Sequence, residues 1–306
     1  MINKIELYGI LIVVLLNLIS CGKNQSLTPP PIEENPYAFG TESTLDIVTW
    51  NLKTFPLSND TIQLLVEIIP ALDVEIIAFQ EINDASAFFT MANQLNDYQP
   101  LVYNATSSYR LAYLYKNSVV RVNDEYTVFN DDSNPFPRPP YVLDIVFEDT
   151  NYILINNHYK ALGDNIVNEN NEWDEEVRRR LASTMLEEYI DTNHPDDKVI
   201  VLGDLNDQIQ EPEDTNVFLP FLDKPDEYYF ATMPIALNPT LNTVSYPRYN
   251  SILDHILISN ELFEDFNVGG SFCNSIRVEN FDIIGGLSVY YEKISDHRPV
   301  GIRLHY

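Results

Sequence analysis

Residues 199–207 read Val199-Ile200-Val201-Leu202-Gly203-Asp204-Leu205-Asn206-Asp207: four apolar residues, a glycine, then three polar side chains around one leucine. A short apolar run bounded this way is a buried strand that delivers polar groups to a sheet edge. The same arrangement recurs along the chain. Leu45–Trp50 is rich in β-formers and ends at Asn51, Val74–Phe79 ends at Gln80-Glu81, and Tyr152–Asn157 ends at His158. Leu253-Asp254-His255 opens the run through Ile258, and Ser295-Asp296-His297-Arg298-Pro299 precedes Val300–Leu304. One aspartate after a strand is ordinarily a turn or a helix cap. Six polar strand ends point to residues converging on one sheet edge.

The intervening stretches supply helices and further strands. Ile62, Leu65, Val66 and Ile69 fall at helical spacing, and a second helix is predicted through Ala87 and Leu95. Val177, Leu181, Met185 and Ile190 form another helical stripe. Between them lie β-like runs at 109–115, 119–129 and 141–147. Two sheets packed face to face with helices outside would bury all of this. The class is α/β, without the strict βαβ rhythm of a doubly wound fold. One domain is expected from Leu45 to Tyr306, with no internal repeat.

Composition narrows the function. The 306 residues are 45% hydrophobic, 12% aromatic and 21% charged, which excludes a disordered polymer, a coiled coil and a collagen. Eighteen Lys and Arg face 46 Asp and Glu, a formal net charge of -28. A protein that coats nucleic acid by unselective phosphate contacts needs the opposite sign. An enzyme that meets phosphate through a bound cation does not.

Residues 1–20 read as an export signal: Lys4, then an apolar core from Ile10 to Leu16, then Asn17. That core is shorter than the roughly 20 apolar residues a bilayer span needs. The ending Leu18-Ile19-Ser20-Cys21 resembles a bacterial lipobox, which implies lipidation of Cys21. Residues 21–44, with Pro29-Pro30-Pro31, are expected to be a tether. The expected location is therefore the bacterial cell envelope, outside the cytoplasm and anchored by lipid. Cys273 then has no partner and reads as a small buried hydrophobe, and no Cys-rich zinc site can form.

The polar strand ends carry a coherent chemistry. Asn51, Glu81 and Asp296 offer hard oxygen ligands suited to Mg²⁺, Mn²⁺ or Ca²⁺. His158 and His297 can donate to phosphoryl oxygens, and Asp254 can hold one imidazole in the donating orientation. Asp204, with Asn206 beside it, can orient or deprotonate a water for in-line attack on phosphorus. That set describes phosphoester hydrolysis.

Asn51 in TWNL, Glu81 in FQEI, His158 in NNHYK, GDLND at 203–207, LDHILIS at 253–259 and SDHRPV at 295–300 together resemble the endonuclease/exonuclease/phosphatase superfamily. That group includes deoxyribonuclease I, abasic-site endonucleases, neutral sphingomyelinases and inositol-phosphate phosphatases. The resemblance implies a four-layer α/β/β/α sandwich of two mixed sheets and a Mg²⁺-type site. It assigns Glu81 to the metal with Asn51 and Asp296 close by, and Asp204 and Asn206 to the nucleophilic water. It assigns His158 and His297 to the phosphate, with Asp254 as the partner of His297. Arg138, in PFPRPPYV, resembles a phosphate-contacting arginine of deoxyribonuclease I. Lys160 is a further substrate candidate, since it shares the face of His158 if that strand continues.

Other residues read as structural. His255 alternates out of phase with Asp254 and is expected on the opposite face. His194 reads as a cap or loop residue, and Arg178-Arg179-Arg180 as a solvated helical face. Trp173 lies in a long polar loop that could form a lid. Fold and motif do not choose a substrate. A Trp-Cys-Asp-Arg cluster, usual in the inositol-phosphatase form, is replaced here by SILDHIL at 251–257. The leading expectation is a metal-dependent phosphodiesterase of nuclease type. A phosphatase or phospholipid phosphodiesterase is the alternative, and an inactive surface binding module requires a broken site. The expected partners are a phosphoester substrate and a membrane reached through the lipid, with the chain itself a monomer.

Overall fold

The computed structural model describes residues 35–103 and 108–306; the signal, Cys21 and the proline run lie outside them. Two six-stranded sheets form the body. The first runs β11 (Phe272–Ser275), β12 (Val300–His305), β1 (Thr44–Phe55), β2 (Ile76–Ile82), β4 (Arg110–Lys116), β3 (Tyr98–Val102). The second runs β5 (Val120–Thr127), β6 (Tyr141–Phe147), β7 (Thr150–His158), β8 (Lys198–Asp204), β10 (Asp254–Ser259), β9 (Tyr228–Phe230). Each sheet contains one parallel pair, β1 with β2 and β7 with β8, and its other neighbours are antiparallel. A parallel pair needs a crossover; α1 (Thr61–Leu72) and α3 (Glu175–Asn193) provide the two.

Side-chain alternation sorts the apolar residues into three interiors. Leu45, Ile47, Ile76, Ala78, Leu154, Ile200, Leu202, Ile256 and Ile302 pack between the sheets. Their neighbours Val48, Trp50, Ile77 and Phe79 face outward under α1, α2 (Ala85–Ala92) and α7 (Leu287–Lys293). Ile153, Ile155, Val199 and Val201 face the other way, under α3, α4 (Leu219–Leu222) and α5 (Met233–Leu237). The short α6 (Phe263–Asn267) packs Phe263 and Phe266 against the inter-sheet layer. These are the four layers that the motifs imply. None of the helices among the described residues is long and apolar enough to cross a membrane.

Several details differ from the sequence reading. β3, β9 and β11 were not predicted, and all three are edge strands of three to five residues. Pro100 is tolerated in β3 because an edge strand has one side free of ladder bonds. On α3 the predicted Ile190 is buried, but Ala182 and Leu186 take the inward positions expected of Leu181 and Met185, and Leu181 is exposed. Asn35–Ser43, expected within the tether, lies against the domain. There Phe39 N donates to Leu72 O at 2.8 Å, Thr41 N donates to Asp46 at 3.0 Å, and the Arg303 guanidinium donates to Phe39 O. Cys273 is free and buried.

Glu75 sits at the start of β2, at the end of the sheet remote from the polar strand ends. It accepts from Asp46 N at 2.8 Å and pairs with Lys116 at 3.3 Å. Burial raises its carboxyl from 4.5 to about 7, against the pull of Lys116. The folded chain thus holds this proton more tightly than the unfolded chain. The associated stability is present below about 4.5 and is lost as pH rises through 7. Glu75→Gln, which keeps an acceptor and removes the charge, is expected to raise the Tm by about 2–4 °C at pH 8. Near pH 4.5 the gain should vanish, and paired thermal melts at the two pH values check this.

Candidate active site

The topology gathers the polar strand ends. β1, β2, β7 and β8 all finish at one edge, and β10 and β12 begin there, because each is antiparallel to a strand that ends there. Asp254 pairs in register with Asp204, His158 with Asp204, and Val300 with Thr49. Alternation then decides direction. Asn51, His158, Asp204 and Asp254 have the parity of Ile47, Leu154, Leu202 and Ile256, so they point between the sheets. His255 has the other parity and is buried against Phe218 and Phe230, with ring nitrogens on Thr232 and Asp207 O.

Glu81 departs from this rule for a local reason. Its parity is that of outward Phe79, but its φ is 62° and the β2 register breaks between Phe79 and Ile82. This left-handed residue, unusual for a side chain of that size, brings the carboxylate to Asn51 Nδ2 at 3.2 Å and Thr54 N at 2.9 Å. Gly203 is forced by the opposite need. A Cβ there, at φ 146°, would stand 1.9 Å from the Asn157 carbonyl oxygen. Only glycine lets β7 and β8 close up just before His158 and Asp204.

The side chains form one connected cluster. Asn51 Nδ2 donates to Asp204 Oδ2 at 2.8 Å, joining the two sheets, and Asn206 N donates to the other Asp204 oxygen at 3.1 Å. His297 Nδ1 lies 2.8 Å from Asp254, and its Nε2 is 3.9 Å from Asp204. His158 Nε2 is 3.6 Å from Asp204 and 3.9 Å from Glu81. Arg138 lines the same cleft, stacked over Tyr109 at 5.7 Å. Asn206, in the left-handed region at φ 55°, also lines it. Lys160 does not: β7 stops at His158, and the ammonium turns to Ala161 O and to Glu175 at 3.4 Å. The cleft encloses about 770 Å³.

Electrostatics divide the two histidines. Burial pushes His158 well below its ordinary value, and the charges of Arg138 and His297 push the same way, so it is neutral. Burial also works against protonation of His297, but Asp254 and then Asp204 outweigh it and lift it to about 10. His297 is therefore a cation held between carboxylates. Burial raises Asp204 to about 7 against the His297 charge, with Asp254 and Glu81 raising it further.

The donor set fits a hard divalent cation in kind, through the carboxylates of Glu81 and Asp296 on the cleft wall. Two features qualify the ligand list. Asn51 turns its N–H groups toward Glu81 and Asp204 while its oxygen accepts from Lys53 N at 2.8 Å. Lys53 Nζ stands on Asp296 at 2.6 Å, a cation that the sequence reading did not single out. Asp204, Asp254 and His297 also offer ligand atoms within 4.8 Å of one another. His297 Nδ1 and one Asp254 oxygen already satisfy each other there, which suits a charge pair better than a metal cage.

Two supports lie behind the cluster. Trp50 Nε1 donates to Tyr290 at 2.9 Å, and the Tyr290 hydroxyl donates to His297 O, which fixes the segment before β12. Arg179 is the second, and it corrects the reading of 178–180 as a solvated face. Arg178 and Arg179 are both buried. Arg179 Nε donates to Asp207 at 2.7 Å, and its other nitrogens reach Glu176 at 3.2 Å and the carbonyls of Lys160 and Leu162. It ties the loop after Asp204 to the loop after His158. The clue in sequence was Asp207 in GDLND, an acid with no role of its own, opposite an arginine run.

An α/β/β/α sandwich with His, Asp and Glu side chains at the shared edge of both sheets defines the deoxyribonuclease I-like class. The family model for the endonuclease/exonuclease/phosphatase family matches residues 48–297, and the chain belongs to that family. Among solved structures it is similar to Danio rerio TDP2 complexed with a single-strand DNA product. That pair has a TM-score of 0.61 and 13% identity, covering 87% of this chain and 100% of that one. It is similar to the human Nocturnin catalytic domain with bound sulfate, at 0.60 and 14%, covering 86% and 94%. An endonuclease/exonuclease/phosphatase from Bacteroides vulgatus scores 0.58 at 13%, covering 86% and 99%. No curated protein matches the sequence.

Removing Arg179 strands two buried carboxylates, which typically costs about 3–5 kcal/mol. Arg179→Met is expected to lower the unfolding free energy by that amount in urea titrations, with its aliphatic stem retained.

Proposed function

We propose that this protein is a divalent-metal-dependent phosphodiesterase of nuclease type. The observation that carries the reading is the cluster itself: His297 on Asp254 at 2.8 Å and His158 at 3.6 Å from Asp204, in one cleft with Glu81, Asp296 and Arg138. Phosphoryl transfer calls for that combination of fixed donors and carboxylate oxygens. Every position that the chemistry needs is filled, which speaks against an inactive binding module. The single-strand DNA product bound by the similar TDP2 structure supports a nucleic-acid diester over a lipid or small phosphate.

In this mechanism Asp204, oriented by Asn51 and Asn206 N, accepts a proton from water as the water oxygen bonds to phosphorus. The bond from phosphorus to the leaving oxygen breaks on the opposite side. His297 and His158 donate to the non-bridging oxygens, whose charge grows toward the transition state, and Arg138 holds the phosphate. Mg²⁺ or Mn²⁺ held by Glu81 and Asp296 would neutralise phosphoryl charge and stabilise the leaving oxygen. Asn51 positions Glu81 and Asp204 in this scheme, and Lys160 has no part.

The test is a panel of DNA, RNA, sphingomyelin and p-nitrophenyl phosphate assayed with several divalent metals. Diester hydrolysis should stop in EDTA. Glu81→Ala, His158→Ala and His297→Ala should each lower kcat/KM by at least about 100-fold. Activity that survives all three substitutions would sink the site assignment.

We also propose that the chain is an exported lipoprotein of the bacterial envelope, on the strength of Leu18-Ile19-Ser20-Cys21 and the proline-rich stretch behind it. Expressed in a bacterium, the chain should incorporate labelled palmitate and fractionate with membranes. Cys21→Ser should lose both properties.

A further inference from the structure

The loop before β10 reads Ser245-Tyr246-Pro247-Arg248-Tyr249-Asn250-Ser251. Pro247–Tyr249 is a turn of 3₁₀ helix, in which side chains three residues apart eclipse. Tyr246 and Tyr249 accordingly stack, with ring centroids 5.4 Å apart and planes 19° apart. Tyr246 in turn lies over His297 at 4.7 Å. The rings make a stair from the imidazole at the reacting phosphate to the mouth of the cleft. Both tyrosines line that cleft with Asp296 and His297.

The last step of the stair is open. Tyr249 is 70% exposed, so its outer face contributes little to the core. It is nevertheless held in place. Tyr246 and Ser251 exchange backbone bonds at 2.9 and 3.3 Å, and Asn250 closes the turn at φ 51°. The neighbouring Arg248 stacks over Tyr291 at 5.3 Å. Arg298 anchors the segment leading in, donating to Leu241 O at 2.7 Å while its N donates to Ser245 O at 2.7 Å. A rigid, exposed ring two stacking steps from His297 is a surface for another flat ring.

We propose that Tyr249, backed by Tyr246, stacks the unpaired base that adjoins the scissile phosphodiester, which makes the substrate a single-stranded nucleic acid or a frayed end. The proposal rests on the phosphodiesterase reading and names its substrate. A quaternary ammonium head group asks for rings that converge around a cation, whereas these are parallel and offer one face. A paired base inside a duplex has no free face for Tyr249. The formal charge of -28 also disfavours a long duplex, whose binding relies on many phosphate contacts. Base stacking is indifferent to that charge and to sequence.

Binding to a fluorescein-labelled eight-residue oligothymidylate, followed by anisotropy in EDTA with the full chain, tests this without turnover. Tyr249→Ala should weaken binding about tenfold, and Tyr249→Phe should restore it. Oligonucleotides carrying one abasic spacer, moved along the chain, should reveal a position where loss of the base weakens wild-type binding to a similar degree. At that position Tyr249→Ala should add nothing further. Equal binding by wild type and Tyr249→Ala, or capture of sphingomyelin vesicles in place of the oligonucleotide, overturns the proposal. Hydrolysis of diesters with binding indifferent to Tyr249 overturns the platform alone. Tyr249-dependent binding with no hydrolysis in the panel keeps the platform and removes the catalytic reading.

Discussion

The hydrogen bond from Asn51 Nδ2 to Asp204 Oδ2, 2.8 Å long, spans the gap between the two sheets where the chemistry is gathered. Apolar packing holds the sheets together elsewhere, but it cannot operate where both present acid. A carboxylate buried without donors loses several kcal/mol of solvation. The end of the sandwich therefore closes only because each acid finds a partner: Asp204 finds Asn51, Asp254 finds His297, Asp296 finds Lys53, and Glu81 finds Thr54 N. Four carboxyls stand against Lys53, Arg138 and a protonated His297. The cleft is thus close to electrical balance inside a chain whose surplus charge is -28. A phosphate meets local cations there, while the acid majority lies elsewhere on the molecule.

Each member of the cluster is held from behind. Trp50, Tyr290 and Ser295 fix the segment carrying His297, since Ser295 Oγ donates to Asn51 O at 2.6 Å and accepts from His297 N. Arg179 performs the same service between the loops after β7 and β8. Its guanidinium reaches one carboxylate and two carbonyls on one side and Glu176 on the other. These contacts restrict the angles at which the imidazoles and carboxylates meet, which is the precision that preorganised catalysis requires.

What could be read from the sequence followed from the period of a strand. Runs such as Val199–Leu202 are apolar on both faces because each sheet is covered on both sides, and the parity rule then places Asp204, Asp254 and His158 on the inner face. Of the edge strands, β3, β9 and β11 escaped because three to five residues are too few to show a period. The face of α3 was misjudged for a different reason. Arg178 and Arg179 count as solvent-seeking in any hydropathy pattern, yet their partners Asp207 and the loop carbonyls are distant in sequence. Lys53 was missed because alternation stops where it begins: Lys53 and Thr54 have φ of 41° and 52°. Lys160 was overvalued because the strand that would have aligned it with His158 ends two residues earlier.

The pairing of β1 with β12 sets Thr49 beside Val300, so the first strand of the domain pairs with the strand farthest from it in sequence. Asn51 and His297 stand at that junction. A growing chain can form the second sheet, with His158 and Asp204 in register, long before the segment bearing Asp296 and His297 exists. Asp254 then lacks its partner His297, and the cleft lacks the wall that Asp296 and His297 line. The cleft is therefore complete only where β12 and the segment before it lie beside β1.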